Sequence, residues 1–379
     1  MKLLYFANSR IPTEKAHGVQ LFKMCESFAN QGAEVELVVP GRLNRGFKKI
    51  NPFDYYRVSQ NFKIVKLFSP DPHFLTRLPQ GTYIKFQALF FIIWLFFYLL
   101  FKPKKKDYVF YVRHEYLLPL LNYFSKQVCW EAHNLSRRKE LYVKSWRRCH
   151  RIFAITQGLK DELISLGISA EKIFISPDGV DIKEFNLDLT KEQARKKLSL
   201  PLDKKLVVYA GHLYEWKGAD VLAAASEFLD NSHLIVFVGG TDFDLKRFRP
   251  AAEFYQNIFI VGQQSYKKVP EYLKAADVLV LPNSAKSDIS KRYTSPMKMF
   301  EYMVAGRPIV ASDLPSIREV LNQDSAVLVK PDDPKALAAG IDQVLKNQKL
   351  SEIISKRSFE LVQNYTWNKR AEKIISKII

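Results

Sequence analysis

A few lysines, glycines and one glutamate in this 379-residue chain are spaced as phosphate- and hydroxyl-binding chemistry requires. Lys217-Gly218 stands just before a predicted helix at Ala219, and His17-Gly18 just before one at Val19. A small residue at such a point leaves backbone N–H groups facing outward, and the positive end of the helix favours an anion. Lys217 adds a point charge. Neither loop spells G-x-G-x-x-G or G-x-x-x-x-G-K-[ST], so the dinucleotide and P-loop fingerprints are missing, and Lys-Gly alone equally describes a surface lysine. In SPMKMFEYMVAGRPIVASD, Ser295 to Asp313, Pro296 suits a helix start and Gly306 a left-handed end. Met297, Phe300, Tyr302 and Met303 give that helix apolar surface, and Ile309-Val310-Ala311 reads as a buried strand. Lys298 and Glu301, three residues apart, share a helix face. Spacing alone leaves Glu301 either facing solvent or set in a site.

The elements that would hold these residues repeat one plan. Lys2–Ala7 reads as a strand, Asn8–Gly18 as a loop, Val19–Gln31 as a helix and Glu34–Val39 as a strand; near residue 204 the order recurs with Leu206–Ala210, Gly211–Lys217, Ala219–Phe228 and Leu234–Val238. Further strands fall at Tyr108–Val112, Gln127–Ala132, Ile152–Ile155, Ile173–Ser176, Phe259–Val261, Val278–Leu281 and Ile309–Ala311. The fold class is α/β, with two Rossmann-like parallel-sheet domains over residues 1–185 and 186–379. Ligands of such sheets bind beyond the carboxyl ends of the strands, where the loops above lie.

Charge and hydropathy add a second theme. The net charge is +19, with 29 basic against 16 acidic residues up to position 185 and 29 against 23 beyond it. Nucleic acid, an anionic membrane face or a phosphorylated substrate would attract the basic half, and a solvated basic helix face is the plain alternative. No recognition-helix, zinc-finger or RNA-binding-sheet signature accompanies the charge, which argues against nucleic acid. Ahead of the run Lys102-Pro103-Lys104-Lys105-Lys106, residues Ala88 to Phe101 are uninterruptedly apolar. As a helix they rise about 21 Å, short of a roughly 30 Å hydrocarbon core. They read as a helix partly buried and partly offered to a bilayer, lysines at the headgroups, or as one wholly buried on a sheet. Cys25, Cys129 and Cys149 are too scattered for a disulfide framework or a cysteine-rich metal site, and the N-terminal apolar run reads as a strand. A cytoplasmic setting is expected.

The ordered fragments EKAHGVQLFKMCESFANQGAEVELVVP, WEAHN, ITQGLKDEL, ISPDGVD, YAGHLYEWKGADVL and VPEYLKAADVLVLPN, with SPMKMFEYMVAGRPIVASD and SDLPSIREVL, resemble retaining glycosyltransferases of family 4. The resemblance implies the GT-B fold, two facing Rossmann-like domains with a cleft between them, the N-terminal one binding acceptor. It implies that the final helix, about 365–379, crosses back to the N-terminal domain. It assigns Glu301, the second glutamate of an E-x7-E motif, to the nucleotide ribose hydroxyls, a role that suits an acceptor-only carboxylate. Ser295, Met297 and Lys298 would meet the donor diphosphate and sugar, Gly18 the donor phosphates, Gly262 the nucleotide base, and His133 the donor sugar. Lys217 and His212 would lie at the diphosphate, His212 standing where the family often has arginine. Tyr293 replaces the motif's first glutamate, which bears on sugar identity. His17 and Glu215 are open between acceptor or active-site contact and plain surface roles.

No carboxylate pair suggests a glycosidase. The implied reaction is retaining transfer from a nucleotide sugar, UDP- or GDP-linked, with no cofactor and no metal. Asp242-Phe243-Asp244 has the form of a metal-binding D-x-D but reads as a loop with two acidic residues. The implied acceptor is a glycan or lipid-linked glycan of surface polysaccharide or lipopolysaccharide synthesis, at an anionic inner membrane face. A GT-B sugar-nucleotide epimerase and a non-catalytic polysaccharide-assembly scaffold are the competing readings.

Overall fold

Continuous β-branched and aromatic runs such as KLLYF and YVFYV can bury both faces only inside a covered parallel sheet, and they do so. The computed structural model of the chain describes residues 1–42, 44–47, 49–71 and 82–379; the side chains of Arg45 and Lys105 also lie outside what is described. Two compact units emerge. The first comprises Met1–Ile155, Leu159–Pro177 and Trp367–Ile379, the second Thr156–Gly158 and Asp178–Thr366.

The first unit is built on strands β1 (Lys2–Phe6), β2 (Glu34–Pro40), β3 (Lys63–Leu67), β4 (Tyr108–Val112), β5 (Val128–Ala132), β6 (Arg151–Ala154) and β7 (Ile173–Ile175). They form one parallel sheet in the order β3-β2-β1-β4-β5-β6-β7. Strand order reverses between β1 and β4, the point where such sheets open a crevice. β3 escapes the hydrophobic pattern because only Leu67 of its five residues is buried. The helix after β1 spans Ala16–Asn30, three residues earlier than expected at its start, so His17 and Gly18 lie in its first turn and not in the loop before it. Lys15 is extended and its carbonyl already accepts from Gly18 N at 2.9 Å, which begins the turn there. The last helix, Trp367–Ile378, buries Trp367, Arg370, Ala371 and Ile374 against Ala16–Asn30 and β6.

The second unit repeats the scheme with β8 (Lys205–Ala210), β9 (His233–Val238), β10 (Ile258–Gly262), β11 (Val278–Leu281), β12 (Ile309–Ser312) and β13 (Val327–Val329), ordered β10-β9-β8-β11-β12-β13. Alternation along the strands divides its core. Leu206, Val208, Leu279 and Leu281 face a cluster that includes Met299, Phe300 and Met303, while Val207, Tyr209, Val278 and Val280 face one that includes Leu222 and Ile341. Both clusters are close-packed and apolar, so the sheet is covered on each side.

Three further expectations need correction. Gly262 is the last residue of β10, at φ +80°, and does not follow the strand. Asp242-Phe243-Asp244 opens the helix Asp242–Ala252, because Thr241 and Asp244 cap each other's backbone N–H groups and convert the loop to a first turn. Lys102 is not a free headgroup lysine. Its Nζ donates to both Glu36 oxygens at 2.6 and 2.8 Å.

Candidate active site

At the carboxyl ends of β8 and β11 the second unit brings several predicted residues together. The turn after β8 returns across the sheet, and Gly218, at φ +72°, rests on the end of β11: a Cβ there would lie 1.7 Å from the Pro282 carbonyl oxygen. Only glycine fits, so the Lys217-Gly218 pair is fixed by backbone packing as well as by any ligand. Helix Met297–Ala305 begins at Pro296, ends at Gly306 with φ +67°, and carries Lys298 and Glu301 inward. Tyr302 on its far face accepts Ala210 N at 2.7 Å, which ties the helix to β8.

Glu301 is 6% exposed, and Tyr266 Oη donates to its Oε1 at 2.8 Å. Burial pushes its carboxyl up to about 7, the Glu184 charge pushes the same way, and Tyr266, Lys217 and Lys298 only partly oppose them. Lys298 is also buried, and its Nζ has no hydrogen-bond partner among the described residues. The ammonium sits 3.8 Å above the ring centroid of Tyr209, whose hydroxyl is spent on the His212 carbonyl at 2.5 Å. Burial, reinforced by the charge of Lys217, holds Lys298 well below the usual lysine range. A desolvated cation–π contact returns about 2 kcal/mol or somewhat more, less than the several kcal/mol that burying a charge costs. The cluster is therefore under-compensated as it stands. Lys217, packed 5.3 Å from the Trp216 ring and partly exposed, is lowered by burial to about 8.

Other predicted residues divide by use. His212 Nδ1 pairs with Asp244 Oδ2 at 3.0 Å and its ring stacks on Tyr214. Ser295 Oγ accepts Asp178 N at 3.0 Å, and Met297 is half-buried at the helix start. The Glu215 side chain is 82% exposed and meets Arg247 at 3.2 Å, a surface pair. Tyr293 is half-buried, with the Arg292 guanidinium 5.9 Å from its ring. Gly262 has room for a Cβ, its nearest neighbour being Leu245 at 3.7 Å, so its glycine answers to its positive φ.

In the first unit His133 follows β5 and contacts Glu131 Oε1 through Nε2. Glu131 is fully buried, yet four donors meet it: His133, Gln20, Tyr111 at 2.5 Å and Arg370 at 3.2 Å. Burial raises its carboxyl, and Arg370 with His133 and Tyr111 more than reverses this, holding it well below the carboxylate range. Arg113 donates to the Gln20 carbonyl, which turns the Gln20 amide N–H towards Glu131. With Glu131 ionised, His133 Nε2 carries a proton towards it. Burial, with Arg113 and Lys15 nearby, lowers His17 to about 4, so it is a neutral imidazole and no counter-ion for phosphate near pH 7. Gly18 is packed under Tyr56: a Cβ would meet its hydroxyl at 2.3 Å.

Tyr266, Tyr209, Arg113, Gln20 and Arg370 were not anticipated. Tyr209 had a signal, as the last but one residue of a strand that ends at the site; Tyr266 and Arg370 had none, being joined to their partners only through the fold.

Residues 190–360 match the family described as glycosyl transferases group 1, and residues 17–184 the one described as glycosyltransferase family 4. The teichuronic acid biosynthesis glycosyltransferase TuaC of Bacillus subtilis is 29% identical over 213 residues, 56% of this chain and 51% of that protein. The amylovoran biosynthesis glycosyltransferase AmsK of Erwinia amylovora is 26% identical over 213 residues, 55% of this chain and 50% of its own. The chain thus spans about half the length of these curated relatives. The structure of Anabaena Alr3699/HepE in complex with UDP and glucose superposes with a TM-score of 0.77 over 100% of this chain and 99% of that one, at 14% identity, a likeness of fold.

Proposed function

The chain belongs to the group 1, family 4 glycosyltransferases with the GT-B fold, and we propose that it moves a sugar from a nucleotide-sugar donor to a glycan or lipid-linked acceptor with retention of configuration. The observation that carries this reading is the buried Lys298–Glu301–Tyr266 group beside Lys217. An under-compensated cation and a carboxylate with one side-chain donor among the described residues suit a ligand that brings both anionic oxygens and hydroxyl donors, as a nucleoside diphosphate sugar does. Glu301 accepts the ribose hydroxyls, and Lys217 and Lys298 stabilise the diphosphate as it leaves. The acceptor hydroxyl attacks from the same face, assisted by the leaving phosphate. His133, which Glu131 orients through Nε2, keeps the donor-sugar role that the family assigns to it.

The donor is UDP- or GDP-linked, uridine being favoured by the ligand in the Anabaena structure. The D-x-D pair is not used as a metal site in this reading: the Asp244 carboxylate accepts from Thr241 N and pairs with His212. The acceptor belongs to cell-surface polysaccharide or lipopolysaccharide synthesis, in keeping with the TuaC and AmsK relatives. The protein works in the cytoplasm on the inner face of the membrane, drawn by its +19 charge to anionic lipid.

The test is the thermal midpoint of the purified protein against UDP, GDP, ADP, CMP and TDP with their sugar conjugates, in chelator, for wild type and Glu301→Ala. Binding to the folded state raises the midpoint by mass action. One responding nucleotide, lost in the variant, is expected; no response from folded protein to any of them would overturn the donor reading.

A further inference from the structure

Helix Thr82–Phe101 is the most apolar element of the chain, with a mean hydropathy of 2.1 over its best 18 residues and only 22% of those buried. It buries one narrow face, Gln87, Phe91, Leu95 and Leu99, a spacing of four that keeps these residues in one line. Its other faces stay apolar and exposed: Ile84, Leu89, Ile93, Trp94, Phe97 and Leu100 are 39–66% open. Phe68, 64% exposed, packs edge-on against Trp94 at 5.0 Å and widens the patch. Soluble surfaces rarely leave this much contiguous apolar area without an occupant.

We propose that this helix lies in the plane of a lipid bilayer, its outer face among the acyl chains and its inner line bolted to the first unit. Two polar clasps decide between lying and spanning. Near its start, Gln87 donates to Asp71 at 2.7 Å, and Arg10 reaches both Asp71 at 2.5 Å and Tyr83 Oη at 2.7 Å. At its end, Lys102 and Tyr98 close on Glu36 of β2, with Lys102 also 5.0 Å from the Tyr108 ring. Twenty helical residues are about 30 Å long, enough to cross the hydrocarbon. Turning the helix upright, however, would break both clasps and strip Glu36 of its partly buried counter-ion, at a cost of several kcal/mol.

Charge chooses the occupant. A second copy would bring another +19 to the contact, whereas anionic headgroups are attracted. Lys85, Lys104, Lys106 and Lys126 are exposed around the helix, where they can meet headgroups while the aromatic side chains go deeper. The inference rests on the membrane location proposed above and is independent of sugar transfer.

The experiment uses the full chain with phosphatidylglycerol and phosphatidylcholine vesicles, some with brominated acyl chains. Brominated chains are expected to quench a share of tryptophan emission that Trp94→Phe removes. The double variant Trp94→Ser/Phe97→Ser should keep its thermal midpoint, since both sites are exposed, and bind phosphatidylglycerol vesicles at least about tenfold more weakly. Unchanged binding, or no acyl-chain quenching, would overturn insertion. A dimer in light scattering that this double variant dissolves would overturn it in favour of a self-interface. Because the three native cysteines are buried, Lys85→Cys and Lys104→Cys report topology: both should react with an impermeant thiol reagent added outside the vesicles, and reaction of one alone would mean a span. Vesicle binding without acyl-chain quenching removes this inference and keeps the membrane location; no vesicle binding removes both, and nucleotide binding tests the donor reading separately.

Discussion

Replacing Glu301 by glutamine separates a functional carboxylate from a structural one. The folded-state pKa is about 7 against an ordinary 4.5, so the folded protein holds this proton more tightly than the unfolded chain. Stability then falls as pH climbs from 4.5 through 7, because above 7 the charge must be buried and below 4.5 it is absent from both states. A displacement of that size is worth at most about 3.5 kcal/mol at about 1.4 kcal/mol per pH unit. Glutamine cannot titrate, and its carbonyl still accepts the hydroxyl of Tyr266. Its extra N–H group shifts stability by an amount that does not vary with pH, so the slope is the readout. The difference in unfolding free energy, Glu301→Gln minus wild type, measured by urea denaturation without nucleotide, should rise with pH and level off above about pH 8, by roughly 2–3 kcal/mol in all. The same variant should lose the nucleotide response. A difference that stays flat across this range would refute the argument that the carboxylate is held at an energetic loss until a ligand arrives.

Lys298→Met should stabilise the free protein by about 1–3 kcal/mol in denaturation, since it removes a buried amine without a hydrogen-bond partner among the described residues, and should weaken the diphosphate response; unchanged nucleotide affinity, with Lys217→Ala abolishing it, would leave Lys217 as the sole phosphate cation. Gly218→Ala should cost more than about 3 kcal/mol, because its Cβ overlaps the Pro282 carbonyl and its φ is +72°; a normal denaturation midpoint would contradict the tight return of that loop. Arg370→Ala should cost about 3–5 kcal/mol by stranding Glu131. Glu131 contributes stability above pH 4.5 that is lost as pH falls towards its depressed folded pKa, so the variant's acid unfolding should begin at higher pH than that of wild type.

Much of this was legible because the code at each point is local. The two strand–loop–helix–strand plans, the left-handed Gly306 and the shared face of Lys298 and Glu301 follow from periodicity and turn chemistry within a few residues. What failed was set by neighbours distant in sequence or by strength of signal. Lys102 finds Glu36, 66 residues away, so composition suggested a headgroup ligand where packing made a clasp. Asp244 read as a loop residue because the capping by Thr241 and the pairing with His212 that set it in a helix are not visible in composition. Tyr266 and Glu301 are 35 residues apart and Arg370 and Glu131 are 239 apart, distances over which no pattern runs. The ends of the first helix and of β10 were displaced because glycine was read as punctuation, while Gly18 lies inside a helix and Gly262 inside a strand.

The two sets of buried charge follow opposite logic, and the contrast argues for their roles. In the first unit Glu131 meets four donors among the described residues, and its carboxyl is driven below its usual range. Such a group rigidifies: it fixes the proton of His133 and joins β5 to the last helix through Arg370. Among the described residues of the second unit, Glu301 has a single side-chain donor and is driven up, and Lys298 has no hydrogen-bond partner and is driven down. Left alone, these charges weaken the fold by more than the Tyr209 contact returns. A chain under selection for stability alone would replace them with apolar residues of similar size. Their presence at the carboxyl ends of β8 and β11 is accounted for by a ligand that supplies hydroxyl donors to the one and anionic oxygens to the other.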